Sequence, residues 1–239
     1  GLDQKDEQMA LLVQRVSGAY SQHYYFPELA GVGVSYNTFV WDKGMDPRAG
    51  MLRLVLGLGT RAVDRVEGDY PRIVALDAPE KQAHKGFEDT RKFSQRDVDL
   101  LNVNENCLQT VSLLTLTKEA VDIPWRRYAV QDTETMQLLE RRGQKQDVWL
   151  LTFDQLFADK KFPRLMQKML KSLEKAYEYP VDIEFTVNFT AERVPKINVV
   201  QCRPLQTKGA QKDVAIPNDI PAEKTFFRAE GNFMGGNIS

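Results

Sequence analysis

Four apolar runs in the first third of the chain read as strands: LLVQRV (11–16), AGVGVSYNTFVW (30–41), MLRLVLGLG (51–59) and YPRIVALD (70–77). Gly31 and Gly33 in the second run allow close backbone approach. The loop DKGMDPRAG (42–50) follows from its Gly, Pro and Asp content. From residue 78 to about 96 the chain is polar with no clear period. The stretch 97–116 fits a strand or a helix. Residues 133–143 predict a helix, capped by Asp132 or Thr133 and stopped at Gly143. Residues 147–157 predict a short strand and a helical turn.

The strongest periodicity lies in 162–178, where Phe162, Leu165, Met166, Met169, Leu170, Leu173 and Tyr177 recur at steps of three and four. That is one apolar stripe on a helix, with lysines opposite, and its methionines are expected to fill core space. Residues 181–205 then predict two strands and a loop over about 189–196. Residues 206–224 read as linker, and 226–239 resume a hydrophobic, glycine-rich pattern. The order of elements predicts an α+β fold with a mostly antiparallel sheet and packed helices, with residues 1–205 as one unit and 206–239 as linker and the start of a following segment.

Composition narrows the function classes. The 239 residues carry 32 basic and 33 acidic side chains, a net charge of -1, which gives no sign of a nucleic-acid partner. No apolar run nears the ~20 residues of a membrane helix. Cys107 and Cys202 form no metal-binding or disulfide pattern and fit reduced thiols in the cytoplasm. With only His23 and His84, a zinc centre or histidine triad is not expected. The chain starts at Gly1 and has its first methionine at Met9, so it is expected to be part of a longer protein.

The hairpin 181–205 holds the candidate chemistry. Alternation puts Asp182, Glu184 and Thr186 on one face and Ile183, Phe185 and Val187 on the other. On the return strand it groups Gln201 and Arg203 with Ile197 and Val199. Placing Glu184 opposite Gln201 puts Asp182 opposite Arg203 and Thr186 opposite Val199, and the polar groups then collect on one face. Two readings follow. Asp182 and Arg203 form a cross-strand ion pair beside a solvated edge, or the cluster serves a divalent metal and phosphate. In the second, carboxylate and amide oxygens suit Mg2+ and the guanidinium fork suits phosphate.

Pro180, Asp182-Ile183-Glu184 and Gln201-Cys202-Arg203-Pro204 resemble the end of the nucleotide-binding domain of the phosphoenolpyruvate synthase and pyruvate, phosphate dikinase family, an ATP-grasp fold. LLVQRVSG, AGVGVSYN and LVLGLGTRAVDRVEGDYPRIVALD are similar to further family segments in the same order. The resemblance implies ATP and Mg2+ as ligands. It gives Glu184 and Gln201, with Asp182 as a weaker partner, to the metal and Arg203 to the phosphates. It assigns adenine contacts to the backbone of Gln14, Arg15 and Val16, and the Gly57–Gly59 turn to the cofactor. The chain is expected to be the C-terminal ATP-grasp subdomain. A preceding subdomain with a phosphate-gripping lysine and a phosphohistidine domain are the implied partners, and the isolated chain is expected to be inactive. Thr60 stands where the family has Glu, and Tyr36-Asn37 replace an Arg-containing segment. These departures keep open a non-catalytic nucleotide-binding or regulatory module, and beyond it a purely structural domain.

Overall fold

A computed structural model describes residues 11–64, 66–84 and 86–205. All strand pairs are antiparallel. Strands β1 (Ala19–Ser21), β2 (Tyr24–Phe26), β6 (Asp97–Asn102) and β7 (Cys107–Ser112) form one sheet in that order. A second sheet runs β11 (Pro195–Pro204), β10 (Val181–Phe189), β3 (Leu29–Val34), β4 (Met51–Val55) and β5 (Arg72–Ala75). A third, two-stranded sheet pairs β8 (Ala129–Gln131) with β9 (Trp149–Leu151). This is the expected α+β class.

Helices α1 (Thr60–Val63), α2 (Phe87–Lys92), α3 (Leu113–Lys118), α4 (Trp125–Tyr128), α5 (Thr133–Arg141), α6 (Asp154–Phe157) and α7 (Lys161–Tyr177) are the α-helices of the described residues. Helix α7 matches the predicted stripe. Phe162, Met166 and Leu170 are buried, Met169 and Leu173 pack at the margin, and only Leu165 and Tyr177 stand exposed. The ambiguous stretch 97–116 resolves into β6, β7 and the start of α3. Asp132 caps α5, accepting from the Thr135 N–H at 3.0 Å.

One strand prediction fails. LLVQRV forms no strand; Leu11, Leu12 and Val13 are 87%, 79% and 94% exposed, and the first strand begins at Ala19. Among the described residues its apolar side chains find no cover and its backbone has no sheet partner, so it gains no ladder hydrogen bonds there.

The main core lies between the two larger sheets and α7. It joins Leu52, Leu54 and Val74 of the second sheet to Val98 and Leu100 of the first, and Ile183 and Phe185 to Met166 and Leu170. Gly31 lets β3 approach β4 closely, since a Cβ there would lie 2.2 Å from the Arg53 carbonyl oxygen. Gly57 follows the same logic where the chain leaves β4. Its φ is +84°, and a Cβ would lie 2.4 Å from Val98 Cγ1 and 2.7 Å from the Asp99 carbonyl oxygen.

Gly57→Ala is therefore expected to cost about 2 kcal/mol or more, from left-handed strain plus displacement of β6. Urea unfolding of the purified chain measures it. Asp132 supplies a second expectation. Burial raises its pKa, but bonds from Arg91 and Thr135 outweigh this and hold it down to about 2, against an ordinary 3.8. A depressed carboxylate stabilises the fold above its unfolded pKa and loses that contribution as pH falls through the folded value. The stability gap between wild type and Asp132→Asn, about 2 kcal/mol at pH 7, is expected to shrink between pH 4 and pH 2.

Candidate functional site

Strand β10 is fixed on both sides. Val181 donates its N–H to Ser35 Oγ at 2.9 Å, and the Ser35 N–H donates to the Val181 carbonyl at 2.9 Å. Ser35, fully buried just after β3, therefore sets where β10 starts against its neighbour. At the far end Glu28 accepts from the Phe189 N–H at 2.8 Å and from the Tyr128 hydroxyl at 2.7 Å, with Arg127 at 3.1 Å. Between these anchors Val181, Ile183, Phe185 and Val187 point into the core, which leaves Asp182, Glu184 and Thr186 on the opposite face.

The hairpin register has Glu184 opposite Gln201 and Asp182 opposite Arg203, as expected. Beyond that point it differs. The register shifts between Glu184 and Phe185, Val200 has no partner, and Thr186 faces Asn198 rather than Val199. Val200 is the extra residue of a β-bulge. The bulge also corrects the expected grouping on β11. Opposed residues share a face, so Ile197 and Val199 join the core side with Val187 and Phe185, while Gln201 and Arg203 join Glu184 and Asp182. Ile197 and Cys202 both pack against the core although five residues apart, which an unbroken two-residue alternation forbids. The strands also run further than expected, leaving a connecting loop of only 190–194.

The polar face is thus one cluster. Arg203 Nη2 donates to Asp182 Oδ2 at 3.0 Å and its Nε reaches the same oxygen at 3.2 Å. Glu184 and Gln201 have no side-chain hydrogen bond or ion pair among the described residues. Thr186 Oγ1 is buried without a hydrogen-bond partner. An oxygen-only donor set of this kind suits a hard cation, and an orphaned hydroxyl beside it fits a missing polar neighbour. Among the described residues no group of three or more His, Cys, Asp or Glu side chains is placed to hold a metal ion.

Arg53 belongs to the same face, and the sequence reading missed it. It pairs with Val32, which pairs with Glu184, so one strand separates the two, about 10 Å between their backbones. Burial lowers its pKa from the ordinary value and Asp182 acts to raise it. Its guanidinium forms no hydrogen bond or ion pair within 4 Å among the described residues. Alternation in MLRLV was the signal available, because an arginine among buried neighbours in a central strand needs a reason.

The other predicted residues lie as follows. Gln14 Nε2 donates to the carbonyl of the bulge residue Val200 at 3.4 Å. Ser17 accepts from Asn188 and Asn198, so the segment 14–17 lies along the hairpin. Arg15 and Val16 are exposed, and the Val16 carbonyl accepts from the Tyr25 hydroxyl at 3.0 Å. Gly59 opens α1 over Ala30, with Ala62 packed among Val32, Val34 and Met51 on the polar face's side of the sheet. Gly57 is buried against β6 and is not brought to that face.

Thr60 takes a structural role. Its hydroxyl donates to Asp99 Oδ2 at 2.6 Å, and Asp99 also accepts from Thr110 at 2.6 Å and pairs with Arg61. Burial raises the Asp99 pKa, but these partners together take it below its ordinary value. Arg61 further contacts Asp69, which accepts from the Arg96 N–H at 2.7 Å. This buried network ties α1 to β6.

A family model described as pyruvate phosphate dikinase, AMP/ATP-binding domain, matches residues 1–224. The chain belongs to that family. The match covers both the Gly57–Gly59 turn and the hairpin, and ATP is accordingly its ligand class. No curated protein matches the chain. Among the described residues no helix is long and apolar enough to cross a membrane.

In this dikinase-family domain the Arg203–Asp182 pair is half exposed on the arginine side, at 52% and 14%. Such a pair is worth little to folding, about 0–1 kcal/mol. Arg203→Ala and Glu184→Gln are each expected to change unfolding free energy by less than about 1 kcal/mol. Parallel urea titrations check this, and a larger loss marks the cluster as structural.

Proposed function

We propose that this chain supplies one wall of a Mg-ATP site from which a phosphoryl group passes to a histidine on another domain of the parent protein. The observation that carries the reading is the gathering of Asp182, Glu184, Gln201 and Arg203 on one face with Glu184 left unpartnered. Glu184 and Gln201 hold the metal, and Asp182 assists through the oxygen not bound by Arg203. Bound there, Mg2+ spreads the charge of phosphate oxygens. Arg203 grips the phosphates, and Arg53 adds a second cation behind them. The backbone of Gln14, Arg15 and Val16 lies along the adenine, and Gly57 and Gly59 shape the turn into α1. A separate ATP-grasp-like subdomain supplies the facing lysine, so the isolated chain is inactive. The free thiols of Cys107 and Cys202 fit a cytoplasmic setting.

A second reading rests on Thr60. Its hydroxyl is committed to Asp99, at the position where the family resemblance expects glutamate. That favours a domain that binds nucleotide without turnover.

Calorimetry with Mg-ATP on the full-length gene product, with Glu184→Gln and Arg203→Ala beside it, tests both. Each variant is expected to weaken binding by roughly tenfold or more, the effect of one lost charge-assisted bond. Phosphohistidine formed from γ-labelled ATP supports the first reading. Tight binding with no labelled histidine supports the second, and unchanged affinity in both variants removes this face from the site.

A further inference from the structure

Residues 11–18 belong to no strand, so side-chain bonds decide where this segment lies. Ser17 makes two of them. Its Oγ accepts from Asn188 Nδ2 at 3.0 Å and from Asn198 Nδ2 at 2.9 Å. A hydroxyl oxygen has two lone pairs, and these bonds use both. Elsewhere in the segment Gln14 Nε2 reaches the Val200 carbonyl at 3.4 Å, and the Val16 carbonyl accepts from the Tyr25 hydroxyl at 3.0 Å.

The two amide donors come from different strands and from one face. Asn188 lies on β10 and Asn198 on β11. Thr186 pairs with Asn198, and Asn188 follows Thr186 by two residues, so both amides share the face of Glu184. Four residues of strand separate Asn188 from Glu184, about 13 Å. Ser17 therefore seats the segment on the polar face itself, across the bulge from Glu184 and Gln201.

The hairpin does not need these bonds. Its strands pair from Val181 with Pro204 to Phe189 with Pro195, and Phe185 and Val187 anchor it in the core. The segment has no ladder, and Leu11, Leu12 and Val13 gain nothing from burial among the described residues. Loss of the Ser17 hydroxyl therefore frees the segment and leaves the hairpin in place. We infer that Ser17 is a positioning residue, which fixes the backbone of Gln14, Arg15 and Val16 at a set distance from Glu184 so that the base and the phosphates of one nucleotide are held together. The inference rests on the reading above that this backbone meets adenine. A segment fixed before the ligand arrives spares binding the entropy of ordering it.

Calorimetry on the full-length gene product compares Mg-ATP with Mg-tripolyphosphate, which carries phosphates without a base. Ser17→Ala is expected to weaken Mg-ATP about tenfold and to leave Mg-tripolyphosphate unchanged. Ser17→Thr keeps the hydroxyl and is expected to hold the wild-type affinity for both. Unchanged Mg-ATP binding in Ser17→Ala overturns the inference. An equal loss of both ligands does so as well, because it marks Ser17 as a brace of the whole face. A Ser17→Thr variant that binds Mg-ATP no better than Ser17→Ala has the same consequence. Glu184→Gln, expected to weaken both ligands, separates this result from the reading beneath it. If it weakens both while Ser17→Ala weakens neither, the inference on Ser17 falls alone. If it weakens neither, the metal face falls and the role of Ser17 falls with it.

Discussion

The unpaired residue Val200 is the constraint on which the site depends. Strand β11 has two tasks that an unbroken strand cannot combine. Its Ile197 and Cys202 must lie on the core side, where both pack, and its Gln201 and Arg203 must stand beside Glu184 and Asp182. With a period of two, residues 197 and 202 fall on opposite faces. One extra residue restores the phase. The bulge leaves the Val200 carbonyl out of the ladder, and Gln14 offers it a donor from the segment lying along the hairpin. A polar face and an apolar face are therefore built from the same ten residues, and their junction coincides with the candidate site.

The bulge matters only because β10 is held in place. Ser35 pins its start and Glu28 its end, with α7 behind it through Met166 and Leu170. Burial, and then the bond to Glu28, push the Tyr128 hydroxyl pKa well above its ordinary value, so this anchor stays a hydrogen-bond donor at physiological pH. A site wall built this way needs no loop to order it. Its side chains start from strand positions whose register is fixed by burial on the reverse face.

What was legible in the sequence follows the strength of each local signal. Seven apolar positions at helical spacing specified α7 almost to the residue, because a stripe that long has one low-energy arrangement. The alternation of Val181 to Val187 fixed which face of β10 is polar. The phase of β11 was not legible, since Val199-Val200 reads the same whether or not one of them is a bulge. LLVQRV misled for the opposite reason. Its composition suits a strand, but a strand requires a partner, and no local pattern reports whether one exists. Arg53 escaped because its importance comes from a neighbour 131 positions away in sequence, brought close only by the order β10-β3-β4.

The charges on the polar face bear on how it would receive a nucleotide. Asp182 and Glu184 offset Arg53 and Arg203, so the face is close to neutral without a ligand. Among the described residues its one ion pair is the half-exposed Arg203–Asp182 contact, worth about 1 kcal/mol at most. A bidentate phosphate is a stronger partner for a guanidinium than a solvated carboxylate that bonds through a single oxygen. On the proposed reading, Arg203 would therefore pass from Asp182 to phosphate at little cost, and the exchange would free Asp182 to turn toward a cation beside Glu184. Arg53 needs no exchange, having no partner to leave, and its partial burial strengthens the attraction it exerts on an incoming anion. On the proposed reading, the cross-strand ion pair and the ligand site, which begin as competing readings of the same four residues, would be two states of one surface.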